Sequence, residues 1–472
     1  MNERAIREET AWADAWRPAP DETAYEITEL DGEITRELCG TLYRNGPSQR
    51  RLPQQGYAAL HFFDGDALVH ALRIEDGGVH YTGRFARNQA FLYQEENGPD
   101  RQDFYNFRVS DPDPEAPPRV APNTNIVYHG GKLLALVEAD LPFELDPRSL
   151  ASLGTHRFRD PMLGMSTSAH PKIDGRTGQM LIHGYQPVEP YVQLYTIEPD
   201  GSCSLAEAVE TPYPVMMHDM AITENYVILL LCPITFDLER GAGFRDWLRW
   251  EPEKGLKFGI RPRRAGGQVR WFEAPTPAFI FHSGNAYERD GKIFMDACSY
   301  LDGGALLKQL EVYRSGERVT GAGAGANPFL YEFDLSTGDC RETQLDDGVA
   351  EFPRIDDRRV GHENRYGYAL MGESGFLGPE TNRIVKTDRR GGPSVVHECG
   401  AFRYPGEPIF VPRTPDAEED DGFVLVVVYD GRTHRSDLVV LDARAIDKEP
   451  LAVAHLEHRV PLGFHGNFVA GI

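Results

Sequence analysis

The chain has 472 residues, with 49 basic against 73 acidic side chains and a net charge of -24 at pH 7. That length supports one large domain or two to three ordinary ones. The acidic balance removes the basic face that a phosphate backbone requires, which argues against a nucleic-acid partner.

In chain order, MNERAIREETAWADAWRPAPDE has no apolar core of the secretory kind. Residues 1–30 read as an N-terminal extension carrying a helix over AIREETAWADAW, and residues 31–472 as a single domain. From ELCGTLYRNGPS onward, short runs of Val, Ile, Phe and Tyr alternate with Asp-Gly and Gly-rich turns. KIDGRTGQMLIHGY, YERDGKIFMDACSY, LYEFDLSTGDCRETQL and FVLVVVYDGRTHRSDLVVLDAR each spell strand, turn, strand. Helical patterns are few, FRDWLRW and GALLKQLEVY among them. Antiparallel strands over such a length with no break in composition predict a closed all-β architecture, best a β-propeller. The last strand of a propeller commonly completes its first blade, which explains why so apolar a segment as VPLGFHGNFVAGI ends the chain. No apolar run approaches the roughly 20 residues of a membrane-spanning helix. Cysteines 39, 203, 232, 298, 340 and 399 are scattered without a C-x-x-C pair, so a reducing, cytoplasmic location is expected.

Of fifteen histidines, His156, His362, His397, His434, His455 and His458 stand among charged or turn residues and are expected to be solvated. His129 lies in a turn; His61, His70, His80 and His183 have strand-like surroundings and read as structural. Four others differ: His170 in STSAHPKID, His218 in VMMHDMAI, His282 in FIFHSGNAY and His465 in GFHGNF. Each stands at a strand end, next to apolar or small residues. Taken singly, each is more often a structural histidine than a ligand, and their long spacings match no local metal motif such as H-E-x-x-H. On a propeller, however, inner strands converge on one axis, where four imidazoles from four blades can surround a single ion.

LYRNGPS, HFFDGDALVHAL, NTNIVYHGGKLLALVEA, SAHPKID, MMHDMAIT, FHSGNAYE, EFPRID, GEPIFVPR with EEDDGFVLVVVYD, SDLVVLDA and FHGNF follow one another in order. Together they closely resemble the carotenoid cleavage oxygenase family, which includes apocarotenoid and stilbenoid cleaving dioxygenases and the vertebrate retinoid isomerase. The resemblance spans roughly residues 30 to 472. It implies a seven-bladed β-propeller with a helical and loop dome over its top face, and Fe(II) on the axis held by His170, His218, His282 and His465. It also implies three glutamates, Glu138, Glu351 and Glu407, each accepting a hydrogen bond from one ligand imidazole. Each lies in a largely apolar strand, where an unpaired carboxylate would be costly. Four neutral imidazoles leave the ion its full charge and open positions for O2, unlike the common site of two histidines and one carboxylate.

The implied reaction is cleavage of a carbon–carbon double bond, with one oxygen atom of O2 ending in each of two carbonyl products. Its partners are O2 and an apolar conjugated small molecule. The resemblance places Phe63, Thr124, Val137, Met216, Phe281 and Phe352 along the substrate tunnel, with core packing as their ordinary alternative. Stilbenoid cleavers carry a lysine just before the first of the three glutamates; here that position is Val137, which favours a carotenoid or apocarotenoid. FPRIDDRRVG and SDLVVLDA look more like the stilbenoid branch. A metal-free propeller scaffold and a zinc hydrolase are alternatives of other classes; all seven metal-site residues argue against the first, and the lack of a general-base motif against the second. FRDWLRWEPEKGLKFGI mixes Trp, Phe and Leu with Arg and Lys, so peripheral membrane contact stands beside ordinary amphipathic packing as a reading of it.

Overall fold

The computed structural model describes residues 11–54, 56, 61, 63–104, 109–138, 140–159, 166–241, 244–312, 325–373, 378 and 380–472. Seven antiparallel sheets of four or more strands follow one another around a common axis as a β-propeller. Blade 1 contains Gly40–Ser48, Asp66–Glu75 and Gly78–Phe85; blade 2 runs from Asn125–His129 to Ser152–Thr155. Blade 3 runs from Lys172–Ile173 to Cys203–Val209, blade 4 from Met220–Ile222 to Arg270–Glu273, and blade 5 from Phe279–Arg289 to Cys340–Gln344. Blade 6 spans Val349–Arg354 to Val395–Glu398, and blade 7 spans Arg403–Pro405 to Ala452–His455.

Each sheet is covered on both faces by its neighbours, so central strands are apolar throughout rather than alternating. Gly422–Asp430 (GFVLVVVYD) is buried at every position. The turns obey simple backbone chemistry. Asp290-Gly291, with φ of 52° and 75°, is a two-residue loop between paired Arg289 and Lys292. Positive φ at both positions is what a tight hairpin of the right twist requires.

Both ends of the chain stitch the ring closed. Gly466–Ala470 pairs with Gly40–Ser48 and completes blade 1, as expected for the last strand. Glu29–Gly32 pairs with Ala452–His455 and forms the outer edge of blade 7, while Thr23–Ile27 edges blade 1. The boundary expected at residue 30 therefore falls inside a strand, and the sheet begins at Thr23. Those two segments, TAYEI and ELDG, carry no apolar run; backbone pairing with a distant partner places them. Residues 11–15 are helical, within the N-terminal helix expected from sequence; residues 1–10 lie outside the described residues.

Connections gather over one mouth of the ring. The hairpin of Ile234–Phe236 with Leu248–Trp250, the helix Gly303–Val312 and His61 form part of this cover, with His61 Nε2 2.5 Å from the Leu310 carbonyl. Within the segment singled out for membrane contact, Trp247 donates from its ring N–H to Gly241 and lies tilted against Phe236 at 5.8 Å, and Trp250 lies against Gly303. Both indoles are half-buried in contacts within the protein. His362 corrects an expectation: it is 6% exposed, not solvated, with Nε2 3.4 Å from Asp174.

Candidate metal centre

The four singled-out histidines arrive on the inner strands of four blades. His170 stands two residues before the inner strand of blade 3 and His218 two before that of blade 4, His465 immediately precedes the closing strand of blade 1, and His282 lies within the inner strand of blade 5. His465 is held by its own backbone, its N–H donating to Thr124 at 3.1 Å and its carbonyl accepting from Asn45 at 2.9 Å. The glycine after it has a structural cause, because a Cβ on Gly466 would strike the Tyr43 carbonyl.

The rings converge. Centroid separations are 4.3 Å for His170–His218, 4.7 Å for His170–His465, 4.9 Å for His282–His465 and 5.1 Å for His170–His282. Ligand nitrogens of His170, His218 and His282 all lie within 4.8 Å of one another. None of the four residues is more than 9% exposed. Burial, reinforced by the neighbouring rings, holds His170 well below the usual imidazole range. Burial likewise outweighs the pull of Glu407 and brings His465 down to about 4. Neutral rings with free lone pairs result.

The three glutamates meet three of the four rings. Glu351 Oε2 accepts from His282 Nδ1 at 2.5 Å, Glu407 Oε1 accepts from His465 Nδ1 at 3.0 Å, and Glu138 contacts His218 Nδ1. Burial raises the Glu407 pKa, but Arg354, His465 and Arg44 outweigh it and hold the carboxyl at about 2. A proton on Nδ1 directs the lone pair of each paired ring to Nε2. Nε2 of His170 and Nε2 of His282 are buried with no hydrogen-bond partner. Bare nitrogens clustered in a buried centre are costly on their own and are the donor set that suits a borderline divalent cation. The residues present fit a metal.

The glutamates are themselves held, by residues that carried no signal in the sequence. Tyr300 O–H donates to Glu351 Oε1 at 2.6 Å, Tyr185 O–H donates to Glu138, and Arg354 Nη1 lies 3.4 Å from Glu407 Oε1. Asp219 ties three ligand-bearing strands together: it pairs with Lys172 at 2.8 Å and accepts from the N–H and hydroxyl of Ser283, each at 2.8 Å. Lys172, Asp219 and Ser283 follow His170, His218 and His282 by two, one and one positions.

A cavity of about 390 Å³ opens onto this cluster from the covered mouth. Phe63, Thr124, Val137, Met216, Phe281 and Phe352 all line it, beside His218, His282 and His465. Trp247, Phe464 and Arg119 also line it; of these the sequence singles out Trp247 alone, and for membrane contact rather than for the cavity. Phe352 has φ of 52°, an uncommon backbone for a non-glycine residue, and its ring lies 5.3 Å from His282 and 4.9 Å from His465. A second cavity, of about 500 Å³, runs along the inner strands to His170, His282 and His465, past Lys172, Asp219 and Arg354.

The model of the family described as RPE65, retinal pigment epithelial membrane protein, matches residues 16–470. Carotenoid 9,10(9',10')-cleavage dioxygenase 1 of Pisum sativum is 33% identical, over 96% of this chain and 88% of its own length. Isoeugenol monooxygenase of Pseudomonas nitroreducens is also 33% identical, over 93% of this chain and 94% of its own. Among solved structures, cobalt-substituted apocarotenoid oxygenase of Synechocystis superposes with a TM-score of 0.85 at 26% identity, covering 98% of this chain and 99% of that one.

Proposed function

Since this chain belongs to the RPE65 and carotenoid cleavage oxygenase family, we propose that it is a non-haem Fe(II) dioxygenase that splits a carbon–carbon double bond of a carotenoid or apocarotenoid. O2 is consumed, the double bond breaks completely, and each carbon leaves as a carbonyl with one oxygen atom. The observation that carries this reading is the meeting of His170, His218, His282 and His465 at the end of an apolar cavity, with carboxylates on the outward nitrogens of three of them.

His170, His218, His282 and His465 are the residues that would hold the ion. Fe(II), when bound, supplies the one-electron chemistry that lets O2 react with a closed-shell alkene. The chain's own groups prepare for that event. Glu138, Glu351 and Glu407 keep the proton on the outward nitrogen and offset the buried positive charge. Phe63, Phe281, Phe352 and Met216 wall the cavity, exclude water and hold a conjugated chain against the cluster. Thr124 lines the cavity beside His465, to which its backbone is bonded, and its side chain would border the space beside a bound ion.

The test is incubation of iron-loaded protein with carotenoids, apocarotenals and stilbenes under isotopically labelled O2, followed by mass analysis. Two carbonyl products, each with one labelled oxygen, are expected from a polyene; no carbonyl product from any alkene would overturn the reading. A phenylpropene or stilbene substrate is the second reading, supported by the isoeugenol-oxidising relative. Val137, an apolar side chain in the cavity wall, favours the polyene.

A further inference from the structure

Two cavities meet at the histidine cluster and share its members unequally. The first is lined by His218, His282 and His465, the second by His170, His282 and His465. His170 therefore borders the second alone, and its Nε2, like that of His282, is buried without a hydrogen-bond partner. Phenylalanines and Met216 make up much of the first wall, with Asp64, Arg119 and Glu138 as its charged members. The second is lined by four carboxylates, Asp174, Asp219, Asp357 and Glu407. Its outer end is open: the Asp357 side chain is 55% exposed, and Ala470 is exposed too. Its inner end is closed by His170, His282 and His465, each 5% exposed.

A hydrated dication pressed between phenylalanine rings loses water and gains nothing in return. Carboxylates replace that water. Each of the four is paired at rest, so none is left bare when no ion passes. Asp219 pairs with Lys172 at 2.8 Å and Asp174 with Arg263 at 2.5 Å, while Asp357 and Glu407 share Arg354 at 3.4 Å each. The two Arg354 contacts exceed the usual span of an N–H···O bond, so a dication displaces them most readily. We infer that the second cavity is the route by which the metal ion reaches and leaves the histidines, with Asp357 receiving it at the mouth and Glu407 and Asp219 lining the inner end. The inference rests on the reading above that these rings hold an ion. Metal can then exchange while a substrate fills the first cavity.

The test measures Co(II) uptake by the metal-free chain and Co(II) release from the loaded protein to a colour-forming chelator. Ala470→Glu is expected to speed both about threefold, and Ala470→Lys and Asp357→Asn to slow both about threefold. These differences shrink in high salt. Because a group on the path moves the barrier and not its ends, equilibrium affinity stays within about twofold of wild type. Phe63→Ala, which widens the first cavity, leaves both rates unchanged. Ala470 is exposed, and its variants decide even where Asp357→Asn fails to fold. Rates in Ala470→Glu and Ala470→Lys equal to wild type would overturn the route, as would faster uptake in Phe63→Ala. No Co(II) uptake by wild type would instead overturn the reading that these rings hold a metal, and the route with it.

Discussion

At Nδ1 of His282 and His465 a buried carboxylate decides where the imidazole proton resides, and therefore which nitrogen is free for a metal. Glu407 does this with the Arg354 and Arg44 cations beside it. Replacing Glu407 with Gln keeps the shape and removes the charge, and leaves Arg354 with Asp357 as its remaining carboxylate. Metal affinity, measured by chelator competition, is expected to fall about 10- to 100-fold. Stability is expected to fall by about 3 kcal/mol in denaturant unfolding. Tyr300→Phe removes only one of the bonds that hold Glu351, so metal affinity is expected to fall by less than in Glu407→Gln. The histidines and glutamates of this centre were legible because each sits in a distinctive short motif such as MMHDMAIT or FHSGNAYE. Tyr185 and Tyr300 were not, because a tyrosine ending an apolar strand looks like any core tyrosine until the neighbouring blade brings a carboxylate to it.

Among the elements, the inner strands of blades 3, 4 and 5 carry His170, His218 and His282, and Asp219 binds them to one another through Lys172 and Ser283. Asp219 is 1% exposed, and although burial raises its pKa, Lys172 and Ser283 outweigh burial and keep it ionised. Lys172→Met leaves that carboxylate without its cation. It is expected to cost about 3 kcal/mol in unfolding and to speed release of bound metal to a chelator, although Lys172 touches no ligand nitrogen. Unfolding and release rates equal to wild type would contradict this role. The brace was invisible beforehand because its members are 47 and 64 residues apart. What the chain did reveal at this scale was its turns: Asp-Gly pairs marked hairpins because few other residues accept their backbone angles.

Over the whole molecule, a ring of sheets is only as stable as its closure, and here both termini perform it. Each blade contacts chiefly its two neighbours, so opening one seam separates the ligands on either side of it. The N-terminal seam carries a titrating clasp: His455 Nδ1 is 2.7 Å from Asp437 and Nε2 is 3.1 Å from Asp31. Burial lowers the His455 pKa, but the two carboxylates outweigh it and the net shift is upward from 6.5. A raised folded-state value means that the clasp contributes fully below 6.5 and fades as pH rises through that value. The Tm advantage of wild type over His455→Gln is therefore expected to be largest below pH 6.5 and to shrink as pH rises through the raised folded-state value; an advantage that does not change with pH would contradict it. The charge-rich strand TAYEI-TELDG gave no sign in advance of joining two blades, since its partners are the far end of the chain and blade 1. All of these roles presuppose that rings from blades 1, 3, 4 and 5 share one ion. The direct test is anomalous diffraction at the iron edge from crystals of iron-loaded protein: one peak within bonding distance of Nε2 of His170, His218, His282 and His465 is predicted, and no peak between those rings would contradict the account.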